Sequence, residues 1–222
     1  MLSAILFDLD GTLTHTDSIH YAVWQDILRP HNVDLNRKYY DAMFSGRLNV
    51  DIIRDVLPQL GPKESKDLSD RKEAQFRERA ANELVPLDGL LDLLYWTKEQ
   101  GIARGIVTNA PEHNANFMID ALKLRPWFST IVIGECLSHG KPHPLPYITG
   151  LERLGVSASQ TVVFEDSPSG IRSAIGAGIP TIGITSTHTS DALRAVGAHH
   201  TIVNFADADL KSILGQLRAR AV

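Results

Sequence analysis

Apolar and polar positions divide this chain into three textures. At the start, Ala4-Ile5-Leu6-Phe7 runs without interruption into Asp8-Leu9-Asp10-Gly11-Thr12-Leu13, which predicts a buried strand ending in a tight, charged turn. From about residue 16 to 82 the apolar positions recur at helical spacing instead. The hydroxyls and carboxylate of Thr14-His15-Thr16-Asp17-Ser18 suit a helix start. Ile19, Val23 and Ile27, with Trp24 and Leu28 alongside, carry that helix as far as Pro30. Further helices are predicted over 37–44, over 49–60 with Asn49 as cap, and over 63–84 behind Pro62, and no strand is expected in this block.

From Val85 onward, helices and short apolar strands alternate. Leu90, Leu91 and Leu94 mark a helix stopped at Gly101, and strands follow at 103–107, 130–133, 161–164, 181–184 and 200–203. Helices are predicted from Pro111, from Gly140-Lys141-Pro142 to Gly155, over 168–177, and at the C-terminus through Leu210, Ile213, Leu214 and Leu217. The polar groups with chemical potential lie at the ends of the first, second and fourth strands. In an open parallel sheet, ligands bind beyond the strand C-termini where strand order reverses, so the first strand must lie between the second and fourth. The expected architecture is α/β, a Rossmann-like parallel sheet of order 3-2-1-4-5. It comprises residues 1–15 and 83–222, with an α-helical lid, 16–82, inserted directly over the site.

Composition narrows the function classes. The 222 residues carry 22 basic and 26 acidic side chains, a formal charge of −4, with no basic signature for nucleic acid or anionic membrane. The single cysteine, Cys136, excludes an intrachain disulfide and is expected to be a small buried residue. No leader and no apolar run of membrane length is seen, so the chain reads as cytoplasmic. Its expected partner is a small molecule, and its expected state a monomer or weak homo-oligomer.

In an extended segment residues i and i+2 point the same way, so Asp8 and Asp10 repel unless a cation or a shared proton intervenes. A divalent metal does this well. Gly11 lets the backbone turn, and N–H groups at Gly11 and Thr12 would then face an anion. Downstream, in order, stand Thr108-Asn109, Lys141 before Pro142, and Glu165-Asp166. Taken singly, each has a plain structural reading: a helix cap, a solvated lysine, a helix N-terminus.

Together with Asp8-Leu9-Asp10-Gly11-Thr12 they resemble the four motifs of the haloacid dehalogenase-like superfamily, subfamily I with a C1 helical cap, over nearly the whole chain. The resemblance implies a Mg²⁺-dependent phosphatase. Asp8 would be the nucleophile, forming an aspartyl-phosphate, and Asp10 the general acid and base. The metal shell would use Asp8, the Asp10 backbone carbonyl and Asp166, with Glu165 sharing the ligand role or holding a metal-bound water. Gly11, Thr12, Thr108, Asn109 and Lys141 would bind phosphate. Within the superfamily the chain resembles the β-phosphoglucomutase and sugar-phosphate phosphatase group, which implies substrate contacts from His20, Trp24, Gly46, Arg47 and Lys72 in the cap. A mutase must hold a second phosphate just after the second motif. Here that stretch is Ala110-Pro111-Glu112, and its carboxylate favours hydrolysis of a sugar or polyol phosphate over hexose-phosphate mutase activity.

Overall fold

In the computed structural model, which describes residues 2–44 and 47–220, the chain falls into two compact units, one running to His15 and resuming at Val85, the other Thr16–Leu84. The first is built on β1 (Ala4–Phe7), whose four side chains are all buried. The second holds α1 (Asp17–Leu28), α2 (Arg37–Met43), α3 (Asn49–Val56) and α4 (Pro62–Ala80). Among its described residues it has no strand.

The first unit then continues through α5 (Leu90–Glu99), β2 (Ala103–Thr108), α6 (Glu112–Ala121), β3 (Thr130–Ile133), α7 (Leu145–Leu154) and β4 (Thr161–Glu165). It closes with α8 (Pro168–Gly176), β5 (Thr181–Ile184), α9 (Ser190–Ala195), β6 (His200–Ile202) and α10 (Leu210–Arg220). All strand pairs are parallel, in the order β3-β2-β1-β4-β5-β6, so the expected 3-2-1-4-5 arrangement is extended by one edge strand. β1 is central: Ala4 registers with Ala103 of β2 on one side and with Thr161 of β4 on the other.

Alternation along β1 divides the core. Leu6 joins Val107, Val132 and Val163 beneath Tyr147 and Leu151 of α7 and Ala174 of α8. Phe7 stacks on Phe164 at 5.4 Å, with Phe205 edge-on to both rings. A strand buried on both faces needs an unbroken apolar run, which is what the sequence has there.

Several local expectations change. α3 ends at Val56 and α4 at Ala80, each four residues earlier than the apolar spacing implied. Asn49 does not cap α3; it is the first helical residue, and its side chain donates to Ser69 Oγ and Glu73 Oε1 instead. The short helix α9 was not foreseen, because only Leu193 of it is buried and it shows no periodicity. Cys136 is exposed, since it ends the tight turn Gly134–Cys136 that leaves β3.

The two crossings between the units lie side by side in the first. Thr14 Oγ1 donates to the Val85 carbonyl at 2.8 Å, Leu87 N–H to the Leu13 carbonyl at 2.9 Å, and Thr14 forms an antiparallel bridge with Pro86. Among the described residues no helix is long and apolar enough to cross a membrane.

Candidate active site

The strand ends bring the foreseen residues together. Asp8 leaves β1 with its N–H on the Phe164 carbonyl, 3.0 Å away, which holds it against the end of β4. There Asp8, Glu165 and Asp166 each place a carboxylate oxygen within 4.8 Å of the other two, all buried. Lys141 enters from the segment before α7. Its Nζ donates to Asp8 Oδ1 at 2.6 Å, Glu165 Oε1 at 2.7 Å and the Val107 carbonyl at 2.7 Å, and lies 5.0 Å from the centre of the Tyr147 ring. All three ammonium hydrogens are therefore committed.

One cation faces three buried carboxylates. Burial, then Glu165 and Asp10, push the Asp8 carboxyl up to about 7 against the pull of Lys141. Burial, then Asp8 and Glu165, also hold Asp166 well above the usual carboxylate range. Burial opposes the charge on Lys141, but Asp8 and Glu165 outweigh it and raise the ammonium to about 12. The site thus carries an excess of negative charge on hard oxygen donors, which fits a small divalent cation such as Mg²⁺.

Glu165 differs from the other two. Its Oε1 accepts from Lys141 and, at 3.0 Å, from Tyr147 Oη; its Oε2 accepts from Asp166 N–H, Ser167 N–H and Ser167 Oγ, each at 3.1 Å. Five donors on one carboxylate leave little capacity for a metal, so Glu165 here anchors Lys141 and the start of α8. Ser167 Oγ in turn accepts from Gly170 N–H and caps that helix. At residue 170 a Cβ would stand 1.6 Å from Glu165 Oε1, so the close approach requires glycine.

The turn after Asp8 also departs from expectation. Gly11, at φ 77°, donates its N–H to the Thr14 carbonyl at 2.8 Å rather than facing an anion, because the turn closes on itself. Thr12 is fully buried, its Oγ1 3.5 Å from Asp166 Oδ1. Asp10 is half-buried beside Thr14, with which it forms a bridge. Thr108 accepts from Ala110 N–H at 2.9 Å, which leaves its hydroxyl hydrogen for a ligand. The side-chain amide of Asn109 is spent on the main chain of Lys141, donating to its carbonyl at 3.0 Å and accepting from its N–H at 2.9 Å. Neither residue caps α6, whose N-cap is Pro111.

In the helical unit, Lys72 is 3 % exposed. It donates to Glu73 Oε1 at 2.8 Å, lies 2.9 Å from His20 Nδ1, and sits over the rings of Trp24 and Phe76. Trp24 is buried against Phe44. Arg47 donates to the Met43 carbonyl and pairs with Asp55. Gly46 lies outside the described residues.

Two groups at the site escaped the sequence reading. Tyr147 reads as one more core aromatic, and nothing in the pattern marks its hydroxyl. Thr187, whose Oγ1 donates to Asp166 Oδ2, belongs to Thr185-Ser186-Thr187-His188-Thr189-Ser190, five hydroxyls in six residues at the end of a strand parallel to β1. That density was the available signal.

Comparison with known proteins agrees with this geometry. The profile of a family described as haloacid dehalogenase-like hydrolase matches residues 5–184. The chain is 30% identical to validoxylamine A 7'-phosphate phosphatase of Streptomyces hygroscopicus subsp. limoneus, over 87% of this chain and 90% of that protein. It is 29% identical to a phosphorylated carbohydrates phosphatase of Thermotoga maritima, over 89% and 92% of the two chains. Among solved structures it is similar to a variant of CbbY from Rhodobacter sphaeroides in complex with xylulose-(1,5)bisphosphate, with a TM-score of 0.81 and 26% identity over 93% of this chain and 96% of that one.

Proposed function

Since the chain belongs to the haloacid dehalogenase-like hydrolase family, we propose that it is a Mg²⁺-dependent phosphatase acting on a small sugar or polyol phosphate through an aspartyl-phosphate. The observation that carries this reading is Asp8. It stands at the central strand end with Oδ1 held by Lys141, so that Oδ2 is left to attack phosphorus. A relative named for phosphorylated carbohydrates, and another named for validoxylamine A 7'-phosphate, support the substrate class.

Phosphate monoesters resist hydrolysis because anionic oxygens repel nucleophiles, so the work is positioning and charge neutralisation. Asp8 and Asp166, with the Asp10 carbonyl, would hold Mg²⁺, which when bound would supply neutralisation of phosphoryl charge. Asp8 Oδ2 attacks as Asp10 gives its proton to the leaving alkoxide; Asp10 then takes a proton from the water that cleaves the acyl phosphate. Lys141 begins with no hydrogen to spare. As Asp8 loses its charge to the new acyl-phosphate bond, Lys141 stays protonated and the N–H that bonded Oδ1 turns to donate to a phosphoryl oxygen, joining the Thr108 hydroxyl. Substrate choice is assigned to the helical unit, read as a C1 cap, through His20, Trp24, Arg47 and Lys72.

Mutase chemistry is disfavoured by a second carboxylate. Glu135 accepts the N–H of Glu112 just after Thr108-Asn109, so two acidic groups flank the stretch a second phosphate would use.

Phosphate release from a panel of sugar, polyol, nucleotide and glycolytic phosphates, with Mg²⁺ or chelator, tests the proposal. Metal-dependent release that vanishes in Asp8→Asn is expected. Release that survives in Asp8→Asn sinks the mechanism, and loss of glucose 1-phosphate without phosphate release points to the mutase.

A further inference from the structure

The hydroxyl-rich segment after β5 accounts for its side chains one by one. Thr185 Oγ1 donates to the Ile202 carbonyl of β6, Thr189 accepts from Ala192 N–H and caps α9, and Ser190 pairs with Thr201. The remaining two turn the other way, toward the nucleophile. Ser186 Oγ donates to the Gly11 carbonyl at 2.5 Å, and Thr187 Oγ1, which also lies 3.0 Å from the Asp166 carbonyl, makes its shorter contact with Asp166 Oδ2.

The first of these contacts ties the segment to the Asp8–Gly11 turn, and the second reaches a carboxylate oxygen of Asp166. Oδ2 of Asp166 lies 2.2 Å from where a Cβ on Gly11 would stand, and Thr187 Cγ2 lies 3.1 Å from the same point. Asp166 Oδ2 is therefore wedged between the Asp8–Gly11 turn and Thr187, while Oδ1, among the described residues, is met by the long 3.5 Å approach of Thr12. His188 Nδ1 lies 2.9 Å from Thr187 Oγ1 and 3.2 Å from the Asp166 carbonyl, within hydrogen-bond distance of both. A carboxylate with one oxygen occupied and one left open is pre-oriented for a single ligand bond.

We propose that Thr187 is a positioning residue for the metal: its hydroxyl holds Asp166 Oδ2 so that Oδ1 is presented to Mg²⁺, and Ser186 ties the same segment to the Asp8–Gly11 turn so that both ligands keep one geometry. This rests on the reading of Asp8 and Asp166 as metal ligands. Thr187 itself touches neither metal nor substrate.

The test is Mg²⁺ binding without substrate, read from the metal-dependent rise in melting temperature of the chelator-treated protein, for wild type, Thr187→Val and Thr187→Ser. Valine keeps the shape and removes the donor; serine restores the donor. Half-saturating Mg²⁺ is expected to rise roughly tenfold or more in Thr187→Val, as for other groups that orient ligands, and to stay within about threefold of wild type in Thr187→Ser. In steady-state assays Thr187→Val should raise the Mg²⁺ requirement more than it lowers kcat at saturating Mg²⁺. If Thr187→Val does not fold, Thr187→Ala supplies the same comparison with serine. An unchanged Mg²⁺ half-saturation in the valine or alanine variant, or a serine variant as weak as valine, overturns the role of Thr187 alone. A wild-type protein whose melting ignores Mg²⁺ overturns the metal reading along with it.

Discussion

Replacing Lys141 by Met would remove the one cation from the buried carboxylate cluster while keeping most of the side-chain stem. At an effective dielectric of about 20, each of its contacts with Asp8 and Glu165 corresponds to roughly 6 kcal/mol of gross attraction. Desolvation of the three groups cancels most of that in the folded protein, but removing one partner leaves the others buried and uncompensated, a net loss of about 3–5 kcal/mol. Single domains unfold at roughly 5–15 kcal/mol, so the variant should fold with a much reduced margin. Urea unfolding in chelator at pH 8, followed by Trp96 and Trp127 fluorescence in a Trp24→Phe background, reports the sheet unit without a signal from the helical one. With a slope of about 3 kcal/mol per molar, the midpoint should fall by about 1–1.7 M. Acidification works on the same cause. Without the lowering pull of Lys141 the Asp8 and Asp166 carboxyls protonate more readily, so the deficit should shrink between pH 8 and pH 5, and Mg²⁺ should restore part of it. A deficit under about 1 kcal/mol at pH 8, or one that widens toward pH 5, would refute the idea that Lys141 neutralises this cluster.

Metal-free wild type should lose stability as pH rises from about 4 toward 7. Asp8 is lifted from an ordinary carboxylate value to about 7, so across that window the folded state binds more protons than the unfolded chain, and the slope is negative. One such group contributes about −1.4 kcal/mol per pH unit at most; denaturation curves in chelator should show this slope, with Asp8→Asn flattening it and Mg²⁺ opposing it. A positive slope difference between wild type and Asp8→Asn would contradict it. Gly170→Ala sets two effects against each other. Helix propensity favours alanine by about 1 kcal/mol, but the new Cβ would overlap Glu165 Oε1 and force the carboxylate or the start of α8 to move, at about 1–3 kcal/mol or more. A lower melting temperature and a loss of phosphate release are expected; a stabilised, active variant would show that Glu165 is not held where we place it.

What could be read from the sequence followed the strength of local constraint. The buried β1 run and its two carboxylates dictate a charged turn at a central strand, and the need for three strand ends to meet dictates the sheet order. Pairings between distant side chains do not declare themselves this way. Tyr147 is spaced as an apolar residue of α7, so its hydroxyl on Glu165 is visible only once β4 and α7 are packed. Asn49 has the composition of a cap, yet a nearby buried acid, Glu73, outbids the helix N-terminus for its amide. Gly11 was read correctly as a turn residue, but a turn tight enough to need it also consumes its N–H.

The junction at Thr14 and Val85 gives the chain a modular character. Because the polypeptide leaves and rejoins the sheet unit where Thr14 bonds Val85 at 2.8 Å and Leu87 bonds Leu13 at 2.9 Å, the residues between close a loop whose two ends are already neighbours. Extending or shortening such a loop costs only about 0.6 kcal/mol per doubling of its length. The helical block can therefore be exchanged as a cassette, or replaced by a few turn residues, with little consequence for the register of β1. The carboxylate cluster at the strand ends, built wholly from the sheet unit, is untouched by such an exchange.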